Sequence, residues 1–210
     1  MEQLQEMLIA YNKAIPEESR YSWSKQYTST PFPYYWQVVF SELARLDRSM
    51  RILEIGAGQG DVTAIGCYLG FKNISAYERT TRDYSIAKEK IDSLFGRTNV
   101  LENANYNNAG IVADVLILVN CAYADNCVDK EQYISVLKGY YESAGHPRIF
   151  LLEVIDPSYD IADVDFPMWI RLSVEDIHNM FPEAEIASVE TYKYPYNKRS
   201  KKLYIIKHTS

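Results

Sequence analysis

With 210 residues, 47% of them hydrophobic and 24% charged, the chain is long enough to bury one substantial core and has the composition of an ordinary globular protein. A formal net charge of −6 argues against nucleic acid as the main partner, and no apolar run approaches the roughly 20 residues that a membrane helix needs. Three cysteines without a C-x-x-C pair read as reduced thiols, and the acidic start Met1-Glu2-Gln3 carries no signal-peptide core, so a cytoplasmic protein is expected.

Leu4, Met7, Leu8 and Tyr11 recur at helical spacing and predict a helix over residues 3–15, ended by Pro16. Residues 17–32 have no period and read as an ordered loop. A second helix is predicted from near Pro33, burying Trp36, Val39, Phe40 and Leu43. Ile52, Leu53 and Ile55 predict a buried strand; Gly56, Gly58 and Gly60 predict a tight turn, and Asp61 opens a helix through Val62, Ile65 and Leu69. Residues 73–78 read as a second strand that ends on Glu78. Thr80-Thr81-Arg82-Asp83 has the form of a capping box, ahead of a helix marked by Tyr84, Ala87, Ile91 and Leu94 and stopped by Gly96.

Residues 99–102 predict a third strand, and the apolar run 113–119 a central strand covered on both faces. Asp129 caps a helix carrying Tyr133, Val136, Leu137 and Tyr140; residues 148–155 form a fifth strand; Leu172 to Ile177 contain another capping box, closed off by Pro182. Residues 185–194 and 202–207 then read as two strands with no helix between them, which requires an antiparallel hairpin. Its basic tip, Lys198, Arg199, Lys201 and Lys202, reads as solvated charge that discourages edge pairing. The acidic run Glu153, Asp156, Asp160, Asp163 and Asp165 likewise reads as a solvated loop; a cationic acceptor or a divalent metal, joined by Asp125-Asn126, is the sharper alternative. No metal is expected.

The glycine spacing narrows the chemistry. A dinucleotide-binding turn has G-x-G-x-x-G, but position 61 is Asp61 and the third glycine falls at Gly60. A strand, a glycine turn and a helix N-terminus leave backbone N–H groups open to a ligand. Glu78, 22 positions after Gly56 and at a strand end, is placed to accept hydrogen bonds from ribose hydroxyls. The segment Leu53-Glu54-Ile55-Gly56-Ala57-Gly58-Gln59-Gly60 resembles motif I of the class I S-adenosylmethionine-dependent methyltransferases. That resemblance implies a Rossmann-like α/β fold, with a mostly parallel seven-stranded sheet, helices on both faces and a C-terminal hairpin. It implies S-adenosylmethionine as cofactor, with its methionine end over the loop and Glu54 helping to hold its amino group. Residues 1–210 are expected to form one methyltransferase domain, with 1–45 as a helical cap or lid.

On this reading the cofactor contacts are Glu54, Gly56, Ala57, Gly58, Gly60, Glu78, Arg79, Asn103, Ala104 and Asn120. Family members often carry Asp-Ala where this chain has Asn103-Ala104, the acid accepting from the adenine amino group; the Asn103 amide oxygen can still accept one bond. Asn120-Cys121-Ala122-Tyr123 resembles the Asn-Pro-Pro-Tyr frame of nitrogen-modifying methyltransferases without its prolines, which makes Asn120 and Tyr123 the catalytic candidates and Cys121 a packing residue. Tyr21, Trp23, Tyr27 and Tyr123 are candidates to contact the acceptor. None of His146, His178 and His208 is placed as a general base. Methyl transfer needs little help there, because displacement from an activated sulfonium is accelerated mainly by alignment. The expected function is methyl transfer to oxygen or nitrogen of a small molecule, and a homodimer is compatible with it. The alternatives are a non-catalytic cofactor-binding or partner subunit, and an NAD-dependent oxidoreductase, which Asp61 and the closing hairpin disfavour.

Overall fold

A computed structural model describes residues 1–106, 110–121 and 126–208. Strands β1 (Arg51–Ile55), β2 (Asn73–Tyr77), β3 (Leu101–Glu102), β4 (Val115–Leu118), β5 (Ile149–Ile155), β6 (Glu185–Tyr192) and β7 (Lys201–Lys207) form a seven-stranded sheet in the order β3-β2-β1-β4-β5-β7-β6. The pairs β1–β4, β2–β3 and β4–β5 are parallel, while β7 runs antiparallel to both β5 and β6. The expected mostly parallel sheet with its C-terminal hairpin is therefore present. Helices α1 (Glu2–Ala14), α2 (Tyr34–Ala44), α3 (Thr63–Tyr68), α4 (Thr81–Phe95), α5 (Lys130–Ser143) and α6 (Val174–Met180) fill the connections.

The chain gathers into two compact units, Met1–Met50 with Ala57–Asn105, and Arg51–Gly56 with Tyr106–Ser210. In the first unit Leu4 and Leu8 of α1, Trp36, Val39 and Leu43 of α2, and Ile65, Phe71, Ala87 and Ile91 are buried. Phe40 is only half-buried, and Tyr35 takes the core place instead. The helix starts at Tyr34, so positions 35, 36, 39 and 43 share its inner face and Phe40 flanks it, stacked on Trp36 at 5.9 Å. The segment read as a loop holds two 3₁₀ turns, Glu17–Ser19 and Ser24–Tyr27. The capping box expected at the start of α4 does not form. Thr80 makes no side-chain cap, because Asp83 is buried and accepts instead from Gln59 Nε2 at 3.2 Å. Nor does Asp61 begin α3, which starts two residues later at Thr63.

The second unit is built on β4 and β5, buried at every position as central parallel strands are. Tyr133, Leu137 and Tyr141 of α5 and Ile177 and Met180 of α6 are buried with them; Tyr141 stacks on Phe150 at 6.2 Å and meets Phe181 edge-on at 5.1 Å. Asp129 caps α5, accepting from Gln132 N at 2.9 Å, and Ser173 with Asp176 forms the predicted capping box of α6. The basic tip and the acidic run, each read as solvated, instead pair with one another: Arg199 Nε lies 2.9 Å from Asp163 Oδ2 and Lys202 Nζ 2.8 Å from Asp156 Oδ2. Among the described residues no helix is long and apolar enough to cross a membrane.

Candidate functional site

The glycine loop between β1 and α3 is held from beneath. Gly60 has φ +78°, and a Cβ there would stand 3.0 Å from the Ala87 Cβ and 3.2 Å from its Cα, so the loop rests on the backbone of α4. Ala57 N donates to Tyr77 O at 2.9 Å, tying the loop to the end of β2. One residue on, Gly58 N donates to Glu78 Oε2 at 2.8 Å, and Thr80 N donates to Oε1 of the same carboxylate at 2.7 Å. Glu78 is buried, and both bonds are partly shielded from water. A carboxylate has about four acceptor positions, which leaves two for hydroxyl groups of a ligand. Asp83 lies nearby with its carboxyl pushed up by burial, a bond from Gln59 opposing that rise and the Glu78 charge adding to it.

Asn103 follows β3 and braces the same corner. Its Nδ2 donates to Glu78 O at 2.9 Å and Arg79 O at 3.3 Å, while its Oδ1 accepts from Thr81 Oγ1 at 3.1 Å. The amide oxygen expected to meet an adenine is thus already engaged by one hydroxyl. Ala104 and Arg79 are exposed beside it.

The N-terminal segment reaches the loop. A Cβ at Gly58 would lie 3.5 Å from Trp23 Cη2, an ordinary contact. Trp23 stacks on Tyr21 with ring centroids 5.5 Å apart, and the Arg82 guanidinium sits 4.6 Å over Tyr21. Trp23 is 38% exposed, so an apolar face stands open next to the glycine turn. Tyr27 differs from these two. It is buried, edge-on to Phe32 at 5.6 Å, with its hydroxyl bonded to that of Tyr35, which makes it a core residue.

Sequence reasoning missed Lys90, which is completely buried with its Nζ 3.0 Å from Asp61 Oδ1. Asn12 Nδ2 donates to the same oxygen at 2.8 Å, and Trp36 Nε1 donates to Asp61 O at 2.9 Å. The signal was a lysine set among Ala87, Ile91 and Leu94 on the apolar stripe of α4, where a cation requires a buried partner.

In the second unit the strand order reverses between β1 and β4, and ligands of open α/β sheets bind at the C-terminal ends of the strands flanking such a reversal. Glu54 is buried near the end of β1, and Gly56 follows that strand. A Cβ at Gly56 would come within 2.5 Å of the Cys121 Cβ, so the turn closes on Cys121, whose Sγ donates to Ile55 O at 2.9 Å. Cys121 therefore packs. Asn120, just past β4, has φ +56°, a left-handed conformation that asparagine adopts more readily than other non-glycine residues. Its N–H donates to Glu153 Oε2 at 3.1 Å and its Oδ1 accepts from Lys201 Nζ at 2.5 Å. Glu153 also accepts from Thr191 Oγ1 at 2.5 Å and lies 3.8 Å from Lys201 Nζ. Burial pushes the Lys201 ammonium below the ordinary lysine range, and the Glu153 charge opposes the drop. Neither Lys201 nor Glu153 was singled out for this role from the sequence. Tyr123 and Asp125 lie outside the described residues, and among those described no cluster of three His, Cys, Asp or Glu could hold a metal.

No family model matches the chain, and no curated protein matches it at a significant level. Solved structures do. The magnesium protoporphyrin IX methyltransferase of Synechocystis PCC 6803 with bound SAH aligns with a TM-score of 0.63 at 12% identity, over 98% of this chain and 100% of that one. A putative O-methyltransferase from Klebsiella pneumoniae aligns at 0.59 and 12% identity, over 99% and 90% of the two chains. The plantazolicin methyltransferase BpumL, in complex with a pentazolic desmethylPZN analog and SAH, aligns at 0.58 and 10% identity, over 99% and 98%. At these identities the likeness is one of fold, and it runs nearly end to end.

Proposed function

We propose that this chain, which has the fold of the class I methyltransferases, binds S-adenosylmethionine and transfers its methyl group to a small molecule. The observation that carries this reading is the bond from Gly58 N to the Glu78 carboxylate at 2.8 Å, which couples the glycine turn to an acid at the end of β2. A ligand that approaches the bare main chain of Gly56, Ala57, Gly58 and Gly60 also needs an acceptor for its sugar hydroxyls, and Glu78 keeps two lone-pair positions for them. Neighbours of this fold hold SAM or SAH in their solved structures, which supports the same choice here.

In this assignment Glu54 receives the amino group of the methionine moiety, and Arg79, Asn103 and Ala104 border the adenine. The candidates for acceptor contact are Asn120, Tyr21 and Trp23. The bound cofactor supplies a sulfonium whose methyl carbon is open to in-line attack. The chain's own contribution is to hold the acceptor in line and to keep water out; alignment of this kind is worth about 7–11 kcal/mol in favourable intramolecular reactions. The acceptor is taken to be small because the neighbours named above act on magnesium protoporphyrin IX and plantazolicin, and because Trp23 and Tyr21 offer a flat apolar surface.

Calorimetry tests the assignment. S-adenosylhomocysteine is expected to bind and NAD is expected not to; preference for the dinucleotide overturns the reading. Release of S-adenosylhomocysteine from S-adenosylmethionine in the presence of acceptor then distinguishes an enzyme from a cofactor-binding subunit.

A further inference from the structure

Two segments of the second unit are fastened to each other: residues 156–170, which follow β5, and residues 193–200, which join β6 to β7. Asp156 N donates to Ser200 O at 3.0 Å, and the Tyr159 ring meets Tyr194 edge-on at 5.6 Å. The Arg199 guanidinium lies 3.7 Å over the Phe166 ring while its Nε bonds to Asp163. Arg171 is buried beneath and donates to the carbonyl oxygens of Tyr159, of Ile161 at 2.6 Å and of Phe166 at 2.9 Å, which braces the backbone of the first segment.

Apolar side chains face outward from this braced base. Val164 is 96% exposed, Tyr196 86% and Met168 68%, with Tyr194 and Ile161 exposed as well. A single apolar side chain at the surface is ordinary, but five on two bonded segments form a patch of the kind that marks an interface. Side chains this open offer no concave walls, so a small molecule is a poor occupant. The charges divide across the same patch. Asp163 pairs with Arg199, Asp156 with Lys202 and Lys193 with Glu190. Asp160 and Asp165 on the first segment and Lys198 on the second are exposed and belong to none of the ion pairs among the described residues. One half of the patch is therefore left acidic and the other basic.

We infer that two copies of the chain dock through this patch, across a two-fold axis that sets the acidic segment of each copy on the basic tip of the other. A two-fold contact uses the same surface twice, so a patch whose halves carry opposite charge complements itself. Lys198 of each copy then faces the carboxylates of Asp160 and Asp165 on the other, and Val164, Met168 and Tyr196 leave water between them. A lipid surface fits less well, because its anionic headgroups would be set against Asp160 and Asp165. The inference stands apart from the methyltransferase reading and draws on none of its residues.

Sedimentation equilibrium of the full-length protein tests it. At about 100 μM, well above a micromolar dissociation constant, the mass is expected to approach twice the 24.3 kDa of one chain. Lys198→Glu sets acid against acid at both symmetry-related contacts, and the double variant Asp160→Lys with Asp165→Lys sets base against base. Each is expected to weaken association at least about tenfold. Mixed one to one, the two variants regain opposite charges at both contacts and are expected to recover the dimer. Tyr196→Ala, at an exposed position, is expected to weaken association while leaving the melting temperature unchanged. A wild-type mass that stays at 24.3 kDa, a dimer that both charge variants leave intact, or a mixture that stays monomeric each overturns the inference. A monomer that sediments with phosphatidylglycerol vesicles, and stops doing so in Tyr196→Ala, assigns the patch to a lipid surface and overturns it as well.

Discussion

Lys90 Nζ lies 3.0 Å from Asp61 Oδ1, and neither side chain reaches solvent. Burial drives the Lys90 ammonium below the ordinary lysine range, with the Asp61 charge and hydrogen bond pulling it back. Because Asn12 of α1 and Trp36 of α2 also bond to Asp61, this one residue joins three helices directly behind the glycine loop. Asp61→Ala leaves a buried cation unpaired, which costs about 3–5 kcal/mol. For a chain of this length that lowers the melting temperature by on the order of 10 °C. The double variant Asp61→Asn with Lys90→Met leaves no uncompensated charge and is expected to recover most of the loss. A double variant as unstable as the single one would show that charge pairing is not what the site contributes. Thermal melts of the wild type and the two variants decide.

Gly58 and Gly60 are expected to respond differently to an added side chain. At Gly60 the new Cβ meets the Ala87 backbone, and φ +78° is strained for any L-residue. Gly60→Ala therefore costs roughly 2–4 kcal/mol from overpacking and backbone strain combined. At Gly58 the nearest atom is 3.5 Å away on Trp23, so the fold accommodates a side chain with backbone strain as its main cost. Gly58→Val instead fills the space assigned to the cofactor and is expected to abolish S-adenosylhomocysteine binding while the protein remains folded. Unchanged affinity in Gly58→Val, measured by calorimetry, counts against the loop's role.

Glu78 is asked both to brace the loop and to hold a sugar. Glu78→Gln turns one acceptor oxygen into an NH2 that faces Gly58 N–H or Thr80 N–H, donor against donor. Leaving such a group unsatisfied costs about 1–3 kcal/mol. The melting temperature is expected to fall, and affinity for S-adenosylhomocysteine to fall at least about tenfold. Glu78→Gln that loses stability but keeps its affinity would limit Glu78 to bracing.

The sheet and the loop were legible in the sequence because each depends on local patterning. The apolar run at Val115 to Val119, the three glycines after Ile55 and the absence of a helix between β6 and β7 are signals that a few adjacent residues carry. The cluster around Asn120 was half legible: its place after a strand could be read, but its orientation could not. Lys201 is 81 positions away in sequence and reaches Asn120 only because β7 pairs antiparallel with β5. For the same reason the basic tip and the acidic run looked solvated. Arg199 and Asp163, 36 residues apart, meet through tertiary pairing that charge composition does not encode. The capping box at Thr80 failed because Asp83 had a better use in the buried bond with Gln59.

Acid stability follows from aspartates whose carboxyls sit below the ordinary range, Asp114 and Asp156 among them. Asp114 is lowered chiefly by its bond to Arg51; for Asp156 burial pushes upward, but the bonds from Lys202 and Ser158 more than offset it. A folded value below the unfolded one, about 3.9, adds stability that is complete above about pH 4 and disappears as pH falls through the folded value. The melting temperature is therefore expected to hold from neutral pH to about pH 5 and to drop below pH 4. Lys202→Met should make that drop shallower by removing the main bond that lowers Asp156. Asp83 works in the opposite sense. Burial raises its folded value, so its contribution becomes unfavourable as pH rises from the unfolded value through the folded one. Asp83→Asn keeps an oxygen for Gln59 Nε2 and removes the buried charge. It is expected to raise the melting temperature at pH 7 and leave it nearly unchanged at pH 3, where the wild-type carboxyl is already protonated. A gain of equal size at both pH values would mean that the charge of Asp83 is not the cause.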